Sequence, residues 1–408
     1  MTLVEIFTDN HIQNMAACLQ LAPEKMILLG DIGKIRRSTE QYRKILQMRG
    51  QHTQIQVQDI RKKDFWQITY LLQQIFCTGE TFVVDLTGGD EVVSMAMGAL
   101  LSSLDSQQRS NIHIRKFDDR MERVMDCLDD NRTVPGKLPH LTVEELILLH
   151  GGMIQEDSTQ PEGIPSRREV DRLWDLVTED PRLWNKSVTL LREIESRSGT
   201  AYMDFDLEPA TLKQNISDFE AKEPQLREFL EKLIHCGAIY DRSTRDHLRY
   251  SYASPMMRYC TLKAGNILET KVLLEAQSLL QDGQPFFQDC RMGVTIDWDG
   301  IIHDPAERLP ETRNEIDVMA MHGVTPLFIS CKNGNIGEEE LYKLHTVATH
   351  FGGCNARKML IASDLDQKSS AANHAFIQRA WDMDIILMTD AASLSKDDWR
   401  DLFKIALQ

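Results

Sequence analysis

The sequence predicts an α/β chain with three parts: a Rossmann-like N-terminal domain, a helical, winged-helix-like middle, and a C-terminal domain of αβββαβ order. Three observations carry this. Residues 1–120 alternate short apolar runs with helix-period patterns, as expected of a parallel sheet covered on both faces. The stretch from Phe117 to about Ser251 is charged and mainly helix-periodic. From Leu262 onward a strong helical pattern precedes three strand patterns and then an alternation of helix and strand. The boundaries that follow are 1–120, 121–258 and 259–408, and two or three domains suit a chain of 408 residues.

In the first part, apolar runs at Leu3–Phe7, Met26–Gly30, Ile55–Val57, Phe82–Leu86 and Ile112–Ile114 read as strands. Helical patterns at Ile12–Leu21, Thr39–Met48, Phe65–Phe76 and Glu91–Leu104 lie between them. In such a layout ligands bind at the carboxyl ends of the strands. Two loops there stand out. Thr8, Asp9 and Asn10 follow the first strand, and Thr87, Gly88, Gly89 and Asp90 follow the fourth. The glycines permit close backbone approach, Thr87 supplies a hydroxyl, and Asp90 caps a helix whose N-terminus favours phosphate. The alternative is a tight strand-to-helix turn with an ordinary cap. No Gly-x-Gly-x-x-Gly follows the first strand, which disfavours a dinucleotide cofactor.

The middle opens with an apolar helix at Leu141–Leu149, where Thr142 and Glu145 form a capping box and Gly151-Gly152 ends the run. Gln155–Pro165 reads as an exposed loop, Arg167–Glu195 as helical with Trp174 and Trp184 packed inward, and Glu223–Cys236 as an amphipathic helix. Short strands at Ala238–Tyr240 and Leu248–Tyr252 flank a charged turn at Asp241–Asp246, which gives the winged-helix character.

In the third part the helix runs from Gly265 to Leu280, with Ile267, Leu268, Val272, Leu273 and Leu279 apolar and Glu269 beside this stripe. Strands follow at Cys290–Trp298, Glu315–Met321 and Leu327–Cys331, then the helix Glu338–Phe351, a strand at Lys358–Ala362, the helix Ala371–Trp381 and a last strand at Ile385–Thr389. On the second and third strands Glu315, Asp317, Ser330 and Lys332 alternate with apolar Ile316, Val318, Ile329 and Cys331, so period two places the polar set on one face. A carboxylate beside a lysine at a strand end can hold a hard cation and stabilise charge developing on a phosphate. The same residues on an exposed face would be a solvated surface.

Composition narrows the function. No run approaches ~20 uninterrupted apolar residues, and Met1-Thr-Leu-Val-Glu-Ile-Phe reads as a strand, so a cytoplasmic protein without membrane contact is expected. The eight cysteines include no Cys-x-x-Cys pair, which argues against structural zinc and a disulfide framework. A net charge of −16 opposes non-specific attraction to nucleic acid, so such contact has to rely on a local basic patch or on bound metal.

Glu269, Asp317 and Ser330-x-Lys332 on this core resemble the PD-(D/E)xK restriction-endonuclease-like superfamily. Together with Asp85-Leu-Thr-Gly-Gly-Asp90, Gly265-x-x-Leu-Glu269, Asn-Glu-Ile-Asp-Val at 314–318, Ser-Cys-Lys at 330–332 and Gly352-Gly353, they resemble the CRISPR ancillary nucleases that join a CARF sensor domain to such a nuclease domain. The resemblance covers nearly the whole chain and is weakest in the middle. It implies a homodimer whose CARF domains bind a cyclic oligoadenylate, the four-adenylate ring above others. That ligand would activate an endonuclease using Mg²⁺ or Mn²⁺ on DNA, single-stranded RNA or both, in type III CRISPR antiviral defence. It assigns Asp317 as core metal ligand, Glu269 as the supporting helix carboxylate and Lys332 as the group that aligns water or stabilises the phosphate. The sequence departs from the pattern at Ser330, where an acid is usual. Glu315, Asp297 or Asp299 could supply the missing ligand, as could the Ser330 hydroxyl or a carbonyl beside it. Lys343 could meet the scissile strand or be a surface lysine. Thr8, Asp9, Asn10, Thr87, Gly88, Gly89 and Asp90 would line the ring site. A ligand-gated transcriptional regulator and a ring nuclease that clears the signal are the competing readings.

Overall fold

The computed structural model describes residues 1–60, 64–118, 123–128, 132–134, 139–158, 167–196, 202–244, 247–301, 312–334, 336–365 and 370–407. The N-terminal part runs β1 (Thr2–Ile6), α1 (His11–Leu21), β2 (Lys25–Gly30), α2 (Ile32–Met48), β3 (Gln54–Asp59), α3 (Phe65–Phe76), β4 (Phe82–Asp85), α4 (Glu91–Ser103), α5 (Ser106–Ser110), β5 (Ile112–Asp118), β6 (Arg123–Asp126) and β7 (Arg132–Thr133). Its sheet has the order β3-β2-β1-β4-β5-β6-β7, parallel through β5 and antiparallel beyond. The chain reverses its winding between β1 and β4, which places the doubly wound crevice there. Asn10, Asp31, Asp64 and Asp90 each accept N–H groups at the start of α1, α2, α3 and α4. The Asp31 cap starts α2 two turns before the expected Thr39, because the polar run Gly33 to Ser38 hides the buried stripe of Ile35, Tyr42, Ile45 and Leu46.

The middle contains α6 (Val143–Leu149), β8 (Met153–Glu156), α7 (Arg167–Glu179), α8 (Pro181–Glu195), β9 (Asp204–Leu207), α9 (Pro209–Asn215), α10 (Phe219–His235), β10 (Ile239–Asp241), β11 (Leu248–Tyr252) and α11 (Pro255–Leu262). It departs from the expectation in four places. β6 and β7 extend the first sheet past the expected boundary at 120, and β8 stands where a loop from Gln155 was expected and joins the C-terminal sheet. The helical run from Arg167 is two helices, because Asp180 caps and Pro181 opens the second. β9 adds a strand, giving the sheet β10-β11-β9 of the winged-helix-like unit. Trp174 and Trp184 are buried as expected. Parts of the expected loop at Gln155–Pro165 and turn at Asp241–Asp246, namely 159–165 and 245–246, lie outside the described residues.

The last part has α12 (Asn266–Ser278), a small hairpin of β12 (Leu280–Gln281) and β13 (Gln284–Pro285), β14 (Asp289–Asp297), β15 (Arg313–His322), β16 (Thr325–Gly334), α13 (Glu338–Gly352), β17 (Arg357–Leu365), α14 (Ser370–Asp382), β18 (Ile385–Met388) and α15 (Lys396–Ala406). The sheet order is β18-β17-β16-β15-β14-β8, parallel from β16 to β18 and antiparallel from β16 to β8. One face packs on α12, α15 and the middle helices through Val318, Ile329, Ile361 and Trp399. The other packs on α13 through Phe328, Leu344 and Phe351, and that core continues through Leu146 and Ile147 of α6 to Leu3, Met15 and Ile45 of the first sheet. Nothing in the sequence pattern had separated α15, whose Ser395–Asp398 capping box starts it and whose Trp399, Leu402 and Phe403 are buried. Among the described residues no helix is long and apolar enough to cross a membrane.

An ion pair from the end of α2 reinforces the apolar join between the first sheet and α6. Arg49 Nε lies 2.6 Å from Glu145 Oε1 and Arg49 Nη2 2.7 Å from Oε2. Burial works against the Glu145 charge, but the Arg49 and Thr142 hydrogen bonds outweigh it and hold its carboxyl below the usual value. A depressed carboxyl contributes stability above its unfolded pKa and loses it as the pH falls through the folded one. Arg49→Ala should therefore cost about 3 kcal/mol at pH 7, the low end for breaking a buried pair, because Glu145 keeps its bond from Thr142 N. The cost should shrink below pH ~4. Urea unfolding of wild type and variant at pH 7 and about pH 3 checks both.

Candidate active site

The site forms where the C-terminal sheet splits. Pairing of β15 with β16 runs from His322↔Thr325 to Val318↔Ile329, after which β15 stays with β14 and β16 with β17. In the fork the Asp317 carboxylate replaces a strand. Its Oδ2 accepts Cys331 N at 2.6 Å, Ser330 Oγ at 3.1 Å and Lys332 Nζ at 3.1 Å. All three donors fall on one oxygen, which leaves Oδ1 for another partner. Gly293, opposite Asp317 on β14, has φ +58, a conformation that favours glycine and bends β14 beside the fork.

Glu315, Asp317, Ser330 and Lys332, expected together, line one cleft with Asn314, Glu340 and Lys343. They meet in an opened fork rather than on a flat sheet face. Glu269, on α12, does not line this cleft but lies close enough for the charges of Asp317 and Glu315 to act on it. This helix is not the one-sided element its sequence suggested; Lys271 and Glu275 are buried too, with Lys271 Nζ 2.6 Å from Asp171 and 2.8 Å from Glu275. So anchored, α12 holds Glu269 in a partly buried position where Tyr259 Oη donates to Oε2 at 3.2 Å. Burial first, then the charges of Asp317 and Glu315, push the Glu269 carboxyl up to about 8. Lys332 shows the opposite balance. Burial opposes its charge, but Asp317 and Glu340 outweigh that and hold the ammonium at about 12.

Asp297 and Asp299 are not part of the cleft. Asp297 is buried at the far end of β14, pairs in the ladder with Arg313 and accepts from Gln155 at 3.3 Å, while Asp299 accepts Ile301 N at 2.9 Å in the following turn. Two cleft neighbours escaped the sequence reading, Tyr259 and Glu340. Glu340 had a signal, since it stands three residues before Lys343 on the helix face bearing Leu344 and Val347.

Among the described residues no three His, Cys, Asp or Glu side chains form a ready metal cage. The donor chemistry nevertheless suits a hard cation. Glu269, Glu315 and Asp317 are oxygen donors close enough for their charges to oppose one another, a conflict that a divalent ion offsets.

At the crevice of the first sheet the two expected loops touch. A Cβ on Gly88 would collide with the Thr8 side chain and lie 2.8 Å from Ile6 O, so only glycine lets the loops after β1 and β4 close on each other. The Thr87 hydroxyl is committed within the fold, donating to Asp85 and accepting Phe117 N at 2.8 Å. Asp90 caps α4, and Asp9 pairs with Lys34 at 2.8 Å. Beneath the loops Glu5 and Asp85 are register partners, both buried; burial pushes Asp85 up to about 6, and burial with the Asp85 charge raises Glu5 well above its ordinary value. Asn10 caps α1 and also reaches the C-terminal part, its Nδ2 lying 2.8 Å from Asn355 Oδ1 and 2.9 Å from Cys354 Sγ. The loop after β1 thus touches the turn that ends α13.

An acid with a raised folded pKa stabilises the fold fully below its unfolded pKa and loses that contribution as pH rises towards the folded one. For Glu269 the window runs from about 4.3 to about 8. With chelator present, Glu269→Gln should gain on wild type across it, by a few kcal/mol at most at pH 9. Melting curves at pH 5 and 9 check this; parallel loss in both proteins would refute it.

Residues 259–399 match the family model described as Card1-like, endonuclease domain. Two solved structures share the fold over nearly the full length. Protein VC1899 from Vibrio cholerae superposes with a TM-score of 0.72 and 17% identity, covering 99% of this chain and 97% of that one. Can2 from Sulfobacillus thermosulfidooxidans, solved in complex with cyclic tetra-adenylate, gives 0.66 and 16%, covering 100% and 97%. At these identities the likeness is one of fold. No curated protein matches the chain. The chain therefore carries, at residues 259–399, an endonuclease domain of the Card1-like family.

Proposed function

We propose that the chain is a homodimeric, metal-dependent endonuclease of type III CRISPR antiviral defence, switched on by cyclic tetra-adenylate and cutting DNA, by nicking, single-stranded RNA, or both. The observation that carries the catalytic half is the Asp317–Lys332 pair in the strand fork, with Glu269 and Glu315 crowding the same charge, inside the stretch matching an endonuclease domain. A fork that strips one backbone N–H from its ladder and brings acids together is costly as mere architecture. The sensing half is supported by the full-length fold shared with Can2, whose structure holds that ring, and by the Gly88–Thr8 contact that closes two loops over the crevice. Exposed Trp66 and Tyr70 on α3 and Met95 on α4 form an apolar face suited to a second copy.

A divalent ion held by Asp317, Glu269 and Glu315 would supply an activated water and charge neutralisation. The chain's own groups divide the remaining work. Lys332, with its pKa near 12, stays an ammonium at any working pH, so it stabilises phosphate charge and does not act as the base. Ser330 and Cys331 N fix one Asp317 oxygen and so orient the other. Glu269, with a pKa near 8, holds either a proton or a share of the cation.

Supercoiled plasmid and single-stranded RNA, with Mg²⁺ or Mn²⁺ and with or without cyclic tetra-adenylate, test this. Asp317→Ala should lose cleavage by about 10²-fold or more; unchanged cleavage would sink the site. Cleavage indifferent to the ring would remove the switch and keep the nuclease. A separate expectation concerns the sensor contact. Asn355→Ala should keep ring affinity, measured by calorimetry, and lose about tenfold of activation, the middle of usual coupling energies. Full activation in that variant would show that the signal crosses elsewhere.

A further inference from the structure

Glu340 lies in the first turn of α13, and the division of roles above leaves it unused. Its Oε2 is 3.2 Å from Lys332 Nζ and its Oε1 2.9 Å from Lys343 Nζ, so one carboxylate bridges two ammonium groups. All three side chains line the cleft that holds Asp317 and Glu315. They differ in exposure. The Lys332 side chain is 30% exposed and Glu340 22%, whereas Lys343 is 62% exposed and reaches from the mouth of the cleft. Lys332 is gripped on two sides, by Asp317 and by Glu340. Lys343 is gripped on one.

A further carboxylate in a cleft already crowded with acids works against binding a polyanion, unless its effect is to place cations. Burial raises the Glu340 pKa while Lys343 and Lys332 outweigh that and lower it, so it remains charged and attracts both ammonium groups. An ordinary surface ion pair between Lys343 and Glu340, three residues apart, would contribute little and involve no third partner. Here the third partner is the lysine at the reacting centre. In a chain of net charge −16, two ammonium groups fixed side by side are the cationic contacts this cleft offers a phosphate.

We propose that Glu340 is a positioning residue that holds Lys332 and Lys343 as a paired phosphate clamp, Lys343 being a second contact to the backbone of the strand being cut. This rests on the nuclease reading of the same cleft. Binding is read by fluorescence anisotropy of a labelled single-stranded oligonucleotide with Ca²⁺ in place of Mg²⁺, over a salt series; turnover is read on the activated enzyme. Lys343→Ala should flatten the slope of log affinity against log salt by about 0.7, one phosphate contact on a single strand, and raise KM more than it lowers kcat. Lys343→Arg should restore the slope. Glu340→Gln, which keeps shape and removes charge, should lower kcat several-fold while the melting temperature holds. An unchanged slope in Lys343→Ala, or Glu340→Gln changing melting temperature alone, overturns the clamp. Asp317→Ala serves as the control: if it still cuts, the nuclease reading fails and the clamp with it, whereas a dead Asp317→Ala beside a wild-type Lys343→Ala removes the clamp only.

Discussion

The bond from Cys331 N to the Asp317 carboxylate is the constraint on which the C-terminal domain turns. A strand amide left without a partner costs about 1–3 kcal/mol when buried, so β15 and β16 can separate only if something takes that N–H. A side-chain carboxylate does so here and becomes fixed in the act. The split lets both faces of the sheet reach one point. Glu269 comes from α12, which belongs to the core on one face, and Glu340 from α13, which belongs to the core on the other. In an unbroken sheet the β-layer would keep those carboxylates apart. Asp317 therefore makes the opening and is also its principal occupant.

The architecture was largely legible because its signals are local. Runs of three to five residues, mostly apolar, mark β1 to β5, and polar caps mark the helices between them. Where prediction failed, the missing information was nonlocal or masked by charge. β6 and β7 are short and polar and exist through pairing with β5. β8 is a strand because β14 offers it an edge. α2 hides its first two turns behind Lys34, Arg36 and Arg37. Within the site, period two gathered Glu315, Asp317, Ser330 and Lys332 in one place, yet the alternation itself breaks at the fork: Ile316 belongs to one core and Val318 to the other. Glu340 escaped because Glu338-Glu339-Glu340 is the acidic first turn that any helix favours, which masks the spacing from Glu340 to Lys343 and Leu344 that alone marks the one turned into the cleft.

α13 ties the two ends of the molecule. Its first turn carries Glu340 against Lys332, and the turn beyond its last residue carries Cys354 and Asn355 against Asn10. Fifteen residues of helix span about 22 Å at 1.5 Å per residue, and packed helices move as rigid bodies rather than bending. Asn10 both caps α1 beside the crevice and donates across to Asn355, so a change in the loop after β1 moves a hydrogen bond made directly to the end of that rod. The aromatic packing alongside reinforces the join: Trp298 stacks on His350 of α13 at 4.3 Å, and His11, next to Asn10, meets His150 at 5.3 Å.

The charge balance of the cleft explains why an acidic chain can still host phosphate chemistry. Asp317, Glu315, Glu269 and Glu340 outnumber Lys332 and Lys343, so the cleft by itself repels a polyanion. The groups respond unequally. Glu269 is pushed up to about 8 and sheds its charge at neutral pH, whereas Lys332 is held near 12 and cannot shed its own. The cleft is thus less negative than its composition, and a bound cation would bring it closer to neutral while displacing the proton from Glu269. Ser330 fits the same balance. An acid there would add another charge beside Asp317, whereas a hydroxyl donates to Oδ2 and spreads the charge already present.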